Sequence, residues 1–250
     1  MIEDLRIIRE KHPVVHNITN YVAMNFTANA LIAVGASPVM SFYPDEMEEI
    51  VSSSDSLVVN IGCLDGELLS AARIATSAAD KQGKPWVLDP VGAGLSTART
   101  ANSLELAMDF HPSVIRGNAS EILSLTGAGT GTRGVDSTVS SSSAVEAGKR
   151  IARMVHCVVS ISGDKDYITD GEIVEEIVGG HPLAGKVTAM GCCASALIAA
   201  FLAVNHDSFA ATSQASRLMK EVCGIAGKDS SGPGSFQIRF LDELSSFEQF

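Results

Sequence analysis

The sequence predicts an α/β fold, a three-layer sandwich with a mostly parallel central sheet. Short β-branched runs alternate with helical segments, and strands that alternate with helices form parallel sheets covered on both faces. The length of 250 residues suits one large α/β domain, and neither a repeat nor a clear linker divides it. We therefore expect a single domain over residues 1–250.

Four segments have helical character: Asn20–Val34, Leu68–Lys81, Ala144–Met154 and Ala194–Val204. The first repeats apolar residues at four-residue steps, and Thr19 or Asn20 is available to cap its start. The second is rich in alanine, and the fourth is apolar nearly all round, which indicates a buried helix. The stretch Thr126–Ser143 is rich in Gly, Ser and Thr and is expected to form a mobile surface loop.

Four predicted strands lie between these helices: Leu57–Asn60, Trp86–Asp89, Val114–Arg116 and Cys157–Ser160. Each stops at a polar residue with a glycine close behind. In an open parallel sheet the carboxyl ends of the strands line one crevice, where ligands bind. Six polar side chains are therefore expected along one edge of the sheet: Asn60, Asp89, Arg116, Asn118, Glu121 and Ser162.

Composition excludes several classes of protein. Hydrophobic residues make up 46% of the chain and charged residues 19%, which provides a sizeable core and excludes a disordered chain. The formal charge of -11 repels phosphate backbones, so nucleic acid is not an expected partner. The five cysteines show no C-x-x-C spacing, which argues against a disulfide framework or a zinc site.

No membrane partner is expected either. The first 15 residues contain no apolar core typical of a secretory signal. The longest nearly apolar run, Cys192–Val204, is too short to span a bilayer. These observations predict a soluble, cytoplasmic protein.

The segment Val187–Cys193 is a run of small residues that leads directly into the buried helix. Free backbone N–H groups and the helix dipole at such a start suit a phosphoryl group in transfer. Cys192 lies in the first turn, where a thiolate is favoured, so its pKa is expected to fall. The alternative is an ordinary helix start with buried cysteines. The segment is not a Walker A loop, since G-x-x-x-x-G-K-[ST] is absent.

Three charged residues at the strand ends have two interpretations each. Asp89 and Glu121 could hold Mg²⁺ beside a phosphate, since this ion takes one or two carboxylates with waters and phosphates. Alternatively, Asp89 starts a turn before Pro90 and Glu121 caps the helix after Asn118. The guanidinium of Arg116 must find an acceptor, which is either a nucleotide phosphate or an acidic neighbour.

Seven segments, in order along nearly the whole chain, resemble the hydroxyethylthiazole kinase family of the ribokinase-like superfamily. They are His16–Asn20, Asn25–Asn29, Gly35–Met40, Asn60–Gly62, Leu88–Gly94, Arg116–Glu121 and Gly232–Phe236. The resemblance implies a ribokinase-like fold and a homotrimer with active sites between subunits. It also implies Mg²⁺ with ATP as phosphoryl donor, and 4-methyl-5-(2-hydroxyethyl)thiazole as acceptor.

The resemblance also implies roles for individual residues. Met40 would contact the thiazole, with Asn20 near it at the subunit interface and Ala189 in the substrate-binding loop. Arg116 and Ser162 would bind ATP, the latter where the family usually has threonine. Asp89 and Glu121 would bind Mg²⁺, directly or through water. Cys192 would face the acceptor hydroxyl.

One departure from the family pattern bears on activity. The family usually has glycine where this chain has Ala189, and alanine loses the freedom to adopt a positive φ. If the loop needs a positive φ at this position, its backbone is strained here. If the loop uses an ordinary φ, the amide still points inward and the anion site is little altered. Met190 and Cys193 also make the loop bulkier.

Three other functions stay open from the sequence. A ribokinase-like kinase could act on another small alcohol, such as a pyrimidine methanol or a sugar. A ligand-binding protein could keep the fold without turnover. A thiol-redox role for the adjacent Cys192 and Cys193 is disfavoured, because neighbouring cysteines form only strained disulfides.

Overall fold

A computed structural model describes residues 1–127 and 140–248, so most of the predicted loop Thr126–Ser143 lies outside the described residues. The strands are β1 (Val14–Ile18), β2 (Ser37–Met40), β3 (Ser56–Asn60), β4 (Trp86–Asp89), β5 (Val114–Asn118), β6 (Val158–Ser162), β7 (Asp166–Thr169) and β8 (Val174–Ile177). The α-helices are α1 (Ile2–Lys11), α2 (Met24–Val34), α3 (Met47–Ser53), α4 (Gly66–Gln82), α5 (Thr97–Phe110), α6 (Ala119–Leu125), α7 (Val145–Val155), α8 (Met190–Leu202), α9 (Ser208–Lys228) and α10 (Pro233–Ser246).

The eight strands form one sheet in the order β2-β1-β3-β4-β5-β6-β7-β8. Pairing is parallel from β2 through β6 and antiparallel at β7 and β8. The predicted mostly parallel sheet is therefore confirmed. Because β3 to β6 are parallel neighbours, their carboxyl ends meet at one edge, which confirms the predicted gathering of polar residues there.

Helices cover both faces of the sheet, as predicted. Neighbouring residues of a strand point to opposite faces, and β3 shows the result. Leu57 and Val59 join the core beneath α3 to α7, whereas Val58 joins the core beneath α1, α2 and α8 to α10. Within residues 1–127 and 140–248, no helix combines the length and apolar character needed to cross a bilayer.

Two predicted helix boundaries are wrong. The helix expected from Asn20 begins at Met24, because residues 20–23 form a turn in which Asn20 Oδ1 accepts the Ala23 N–H at 3.0 Å. Val22, expected on the apolar face, is 64% exposed. The helix expected from Ala194 begins at Met190, a turn earlier, because the Cys193 N–H already donates to the Ala189 carbonyl oxygen at 2.8 Å.

The backbone of Ala189, immediately before α8, lies in the left-handed region at φ 67°. The other described non-glycine residues with positive φ are His12, His111 and His156, which each follow the end of a helix. Left-handed backbone brings Cβ close to the following carbonyl and costs an L-residue about 1 kcal/mol or more. The loop thus needs the conformation that glycine adopts freely, and the strained alternative for Ala189 applies.

Replacing Ala189 with glycine should stabilise the protein by about 1 kcal/mol, because glycine adopts positive φ without the Cβ penalty. Urea unfolding of the ligand-free protein measures the change. Ala194→Gly is the matched control, since Ala194 lies inside α8 and its replacement should destabilise the helix by roughly 0.5–1 kcal/mol. Equal destabilisation by both substitutions would contradict strain at Ala189.

Candidate active site

The side-chain amide of Asn60 connects three of the predicted site residues. Asn60 is the last residue of β3 and is buried. Its Oδ1 accepts hydrogen bonds from the Gly62 N–H and from Asn20 Nδ2, both at 2.9 Å. Its Nδ2 donates to Asp89 Oδ2 at 2.7 Å and to Cys192 Sγ at 3.1 Å. All four hydrogen-bonding capacities of this amide are therefore used.

Backbone N–H groups fix the direction of this network. The Gly62 N–H can only donate, so the oxygen of Asn60 must face it and the NH₂ group must face the cleft. The Ala23 N–H orients Asn20 in the same way, which directs Asn20 Nδ2 toward Asn60 and, at 3.6 Å, toward Cys192 Sγ. A β-carbon at Gly62 would lie 2.6 Å from Asn20 Nδ2, so only glycine leaves room for this contact.

The expected low pKa of Cys192 is wrong. Burial, with a smaller contribution from the nearby Asp89 carboxylate, raises the pKa of the thiol to about 12. The amide donors of Asn20 and Asn60 and the charge of Arg116 act in the opposite direction and do not offset burial. A helix start lowers the pKa of a thiol that is solvated, whereas the side chain of Cys192 is largely buried within the network. Cys192 is therefore a neutral thiol at neutral pH.

The carboxylate of Asp89 is buried at the end of β4. Its Oδ2 accepts hydrogen bonds from Asn60 Nδ2 and from Ser195 Oγ, the latter at 2.8 Å. Its Oδ1 is buried and has no hydrogen-bond partner among the described residues. Burial raises the pKa of Asp89, and Arg116 is the largest opposing influence. The predicted turn is also present, since the Val91 N–H donates to the backbone oxygen of Asp89 at 2.9 Å.

Glu121 caps a helix, as its structural interpretation predicted. It forms a capping box with Asn118, whose backbone N–H donates to Glu121 Oε2 at 2.8 Å. Its Oε1 accepts the Gly92 N–H at 2.9 Å, which ties the segment after β4 to the start of α6. Burial, followed by the charge of Asp89, raises the pKa of Glu121 to about 7.

The donor set fits Mg²⁺ that arrives with nucleotide phosphates. No cluster of three His, Cys, Asp or Glu side chains that could hold a metal ion occurs in residues 1–127 and 140–248. Mg²⁺ needs no such cage, because it binds one or two carboxylates and completes its octahedron with waters and phosphates. The unpaired Oδ1 of Asp89 suits that role, and Glu121 is the second buried carboxylate nearby.

Arg116 lies against the start of α8. A β-carbon at Gly191 would be 2.7 Å from Arg116 Nη1, so the guanidinium packs on the bare backbone of this glycine. Across the two described ranges, no carboxylate oxygen comes within 4.0 Å of it, and the ion pair considered as an alternative is not found. Asp89 and Glu121 still act on it through longer-range charge.

The start of α8 carries no side-chain cap. Its first backbone hydrogen bond runs from Cys193 N to Ala189 O at 2.8 Å. The N–H groups of Met190, Gly191 and Cys192 precede that bond and are among those that a helix cannot satisfy internally. The Arg116 guanidinium lies beside these amides at Gly191, and this combination of positive groups suits an anion.

Ser162 and Met40 lie at the same edge of the sheet, farther from the network. Ser162 ends β6 in register with Asn118 of β5, and its Oγ lies 3.4 Å from the Gly117 carbonyl oxygen. Met40 ends the edge strand β2 in register with Asn17 of β1 and is partly buried. The structure thus places both residues at the predicted edge.

Two side chains that organise the site were not predicted from the sequence. Ser195 bonds Asp89, and its position three residues after Cys192, on the same helix face, is a signal that could have identified it. Arg99 of α5 donates to the carbonyl oxygens of Ile61, Val91 and Gly62 at 2.7, 2.9 and 3.0 Å. It holds the segments after β3 and β4 together, and nothing in its local sequence indicates this role.

A cavity of about 600 Å³ lies at the opposite, amino end of β5 and β6. His111, Arg153 and His156 are among its lining residues, and none of the site residues above is. We do not place the candidate active site in this cavity, because the network of Asn60, Asp89 and Cys192 lies at the other edge of the sheet.

Comparisons with known proteins agree with this geometry. The sequence model of the hydroxyethylthiazole kinase family matches residues 5–249. A hydroxyethylthiazole kinase of Brachyspira hyodysenteriae is 47% identical over 244 residues, which cover 98% of this chain and 92% of the relative. A hydroxyethylthiazole kinase of Nitratidesulfovibrio vulgaris is 44% identical over 246 residues, which cover 98% of this chain and 92% of that relative.

Solved structures give the same result. A hydroxyethylthiazole kinase protein of Pyrococcus horikoshii superposes with a TM-score of 0.90 at 38% identity, covering 99% of this chain and 93% of that one. A ribokinase-like superfamily protein of Enterococcus faecalis shares the fold, with a TM-score of 0.69 at 13% identity, covering 93% and 85% of the two chains. The predicted ribokinase-like fold and the predicted family are both confirmed: this chain belongs to the hydroxyethylthiazole kinase family.

Proposed function

We propose that this enzyme transfers the γ-phosphoryl group of ATP to the hydroxyl of 4-methyl-5-(2-hydroxyethyl)thiazole. Its family membership supports a kinase with this acceptor. The observation that carries the proposal is the convergence of Arg116, the free amides at the start of α8 and the thiol of Cys192. An anion site beside a group that faces an acceptor hydroxyl is what phosphoryl transfer requires.

Positioning and charge neutralisation account for most of the catalysis of phosphoryl transfer. The backbone N–H groups of Ala189–Cys192 cradle the γ-phosphoryl group, and Arg116 offsets its charge from the side of the sheet. Ser162, at the end of β6, binds the nucleotide on the other side of Arg116. The closeness of Arg116 to Gly191 supports a shared role for the loop amides and the guanidinium, because one phosphate can contact both.

Asp89 and Glu121 would hold Mg²⁺, directly or through water. When bound, the ion neutralises the negative charge that develops on the transferred phosphoryl group. Asp89 contributes an unpaired carboxylate oxygen, and Glu121 contributes a second carboxylate that is itself held by two backbone amides. Both carboxylates are buried, and neither forms an ion pair with a cationic side chain of residues 1–127 or 140–248, so a bound cation would compensate them.

Cys192 orients the acceptor hydroxyl. Two amide donors, Asn20 Nδ2 and Asn60 Nδ2, fix the position of its sulfur, and its raised pKa keeps it a neutral thiol. A loose transition state needs little proton removal before the phosphoryl group moves, so a strong base is not essential. The neutral thiol therefore aligns the hydroxyl, and the hydroxyl proton passes late in the reaction to an oxygen of the transferred phosphoryl group.

The acceptor pocket lies between Asn20 and Met40, and a second subunit of a homotrimer completes it. Exposed apolar residues next to Asn20 support this arrangement. Tyr21 is 63% exposed and Val22 is 64% exposed, and the Tyr21 ring packs edge-on against Phe42 just beyond Met40. An apolar rim beside a ligand pocket is typical of a surface that another subunit covers.

A coupled assay with Mg²⁺ and ATP tests the proposed reaction. Saturable turnover is expected with hydroxyethylthiazole and not with a pyrimidine methanol or ribose in parallel wells. Turnover only with another alcohol would support the phosphoryl-transfer reaction and contradict hydroxyethylthiazole as the acceptor. Binding of the thiazole without turnover of any alcohol would favour a non-catalytic ligand-binding protein.

Replacing Cys192 with serine should lower kcat by less than about 1,000-fold, because the residue orients the hydroxyl and is not a strong base. Cys192→Asp supplies a stronger base at the same position and shows whether proton removal limits the rate. Cys223→Ala, a thiol buried in α9, is the control and should keep kcat near that of the wild type. A larger loss in correctly folded Cys192→Ser would contradict the orienting role.

Light scattering of the purified protein should give about three times the chain mass of 26.1 kDa. Val22→Glu should shift this mass toward the monomer, because it places a charge on the proposed subunit contact. Ile238→Glu is the matched control, since Ile238 is 65% exposed on α10, and it should stay trimeric. A monomeric wild-type protein would refute the shared pocket.

A further inference from the structure

We infer that Ser195 is a positioning residue that acts with Asn60 to reserve one oxygen of Asp89 for the cation. Both donate to Oδ2, and the other oxygen, Oδ1, is left without a partner. The inference rests on the proposed binding of Mg²⁺ at Asp89 and adds the residues that aim this carboxylate.

The geometry of Ser195 favours Asp89 over its alternative partner. Its hydroxyl lies 2.8 Å from Asp89 Oδ2 and 3.4 Å from the Gly191 carbonyl oxygen of its own helix. Serines inside helices commonly donate to the carbonyl four residues earlier, and this one is drawn to the carboxylate instead. Ser195 is fully buried, so water does not compete for this hydroxyl.

Two donors on one oxygen restrict the carboxylate. Asn60 approaches Oδ2 from the end of β3, and Ser195 approaches it from α8 on one face of the sheet. A rotation of the Asp89 carboxyl group would move Oδ2 away from both donors at once. The two hydrogen bonds thereby fix the plane of the carboxylate, so that Oδ1 always points to the same place in the site.

Among the described residues, Asp89 Oδ1 is a buried oxygen of this network that has no hydrogen-bond partner. A buried carboxylate oxygen without a donor is costly, and such atoms in native proteins call for a ligand, ion or water. Because Asn60 is itself locked by the Gly62 N–H, it cannot turn to satisfy Oδ1. Ser195 completes this arrangement, since removal of its hydroxyl would leave Asp89 with a single donor and free to rotate.

Ser195→Ala tests the inference through the affinity for Mg²⁺. The thermal midpoint of unfolding is measured against Mg²⁺ concentration at a fixed concentration of a non-hydrolysable ATP analogue, which gives an apparent Kd by linkage. Loss of an outer residue that orients a metal ligand weakens metal binding by about 10- to 100-fold, and we expect a change of that size. Ser195→Thr keeps the hydroxyl and should restore most of the affinity.

Ser54→Ala is the matched control. Its buried hydroxyl donates to the Ile50 carbonyl oxygen at 2.7 Å, near the amino end of β3 and thus at the opposite edge of the sheet. This variant should leave the Kd for Mg²⁺ unchanged even if it lowers the midpoint. If Ser195→Ala does not fold, Ser195→Cys, a weaker donor of similar size, should weaken Mg²⁺ binding in the same direction.

Asp89→Asn separates this inference from the proposed function. If Asp89→Asn weakens Mg²⁺ binding and Ser195→Ala does not, the positioning role is overturned and Asp89 stays a metal ligand. A lowered midpoint with unchanged Kd in Ser195→Ala would show a purely structural role and would also overturn it. If neither variant changes the Kd, Asp89 does not hold the ion, while the thiazole assay still decides whether the chain is a kinase.

Discussion

The orientation of one buried amide, that of Asn60, determines the arrangement of the site. Its oxygen is held by the backbone N–H of Gly62, so its NH₂ group must face Asp89 and Cys192. A reversed amide would set its donors against the Gly62 N–H and its acceptor against a carboxylate, leaving several buried groups unsatisfied. The Gly62 N–H therefore fixes the side chain of Asn60, and Asn60 in turn fixes those of Asp89 and Cys192, which come from separate parts of the chain.

The site combines groups whose burial the fold must tolerate. Asp89 and Glu121 are buried carboxylates with raised pKa values, and a strained residue, Ala189, immediately precedes the helix that contacts Asp89. The core on both faces of the sheet supplies the stability that offsets these costs. Buried negative charge of this kind is compensated when a cation binds, whereas a phosphate needs the positive charge of a group such as Arg116.

Sequence reasoning succeeded where a local pattern has one structural outcome. The strand Trp86–Asp89 has the bounds predicted. The polar residues at the carboxyl ends of β3, β4, β5 and β6 share one edge because parallel neighbours align their carboxyl ends. It failed where the outcome depends on contacts between distant residues. The pKa of Cys192 was expected to fall from its place at a helix start, and burial raises it instead. Arg99 gave no signal, because its partners are backbone carbonyls of other segments.

By itself, the sequence determined the α/β class, the family, the edge of the sheet at which the polar residues of the candidate site gather and the residue types available there. Periodicity, strand-end residues and ordered motifs are properties of neighbours along the chain, and they suffice for those conclusions. Only the tertiary structure decided which oxygen of Asp89 is occupied by Asn60 and Ser195, that Arg116 lies on Gly191, and that Ala189 adopts positive φ. Hydrogen-bond direction, burial and backbone strain arise when segments far apart in sequence pack together, and no local pattern encodes them.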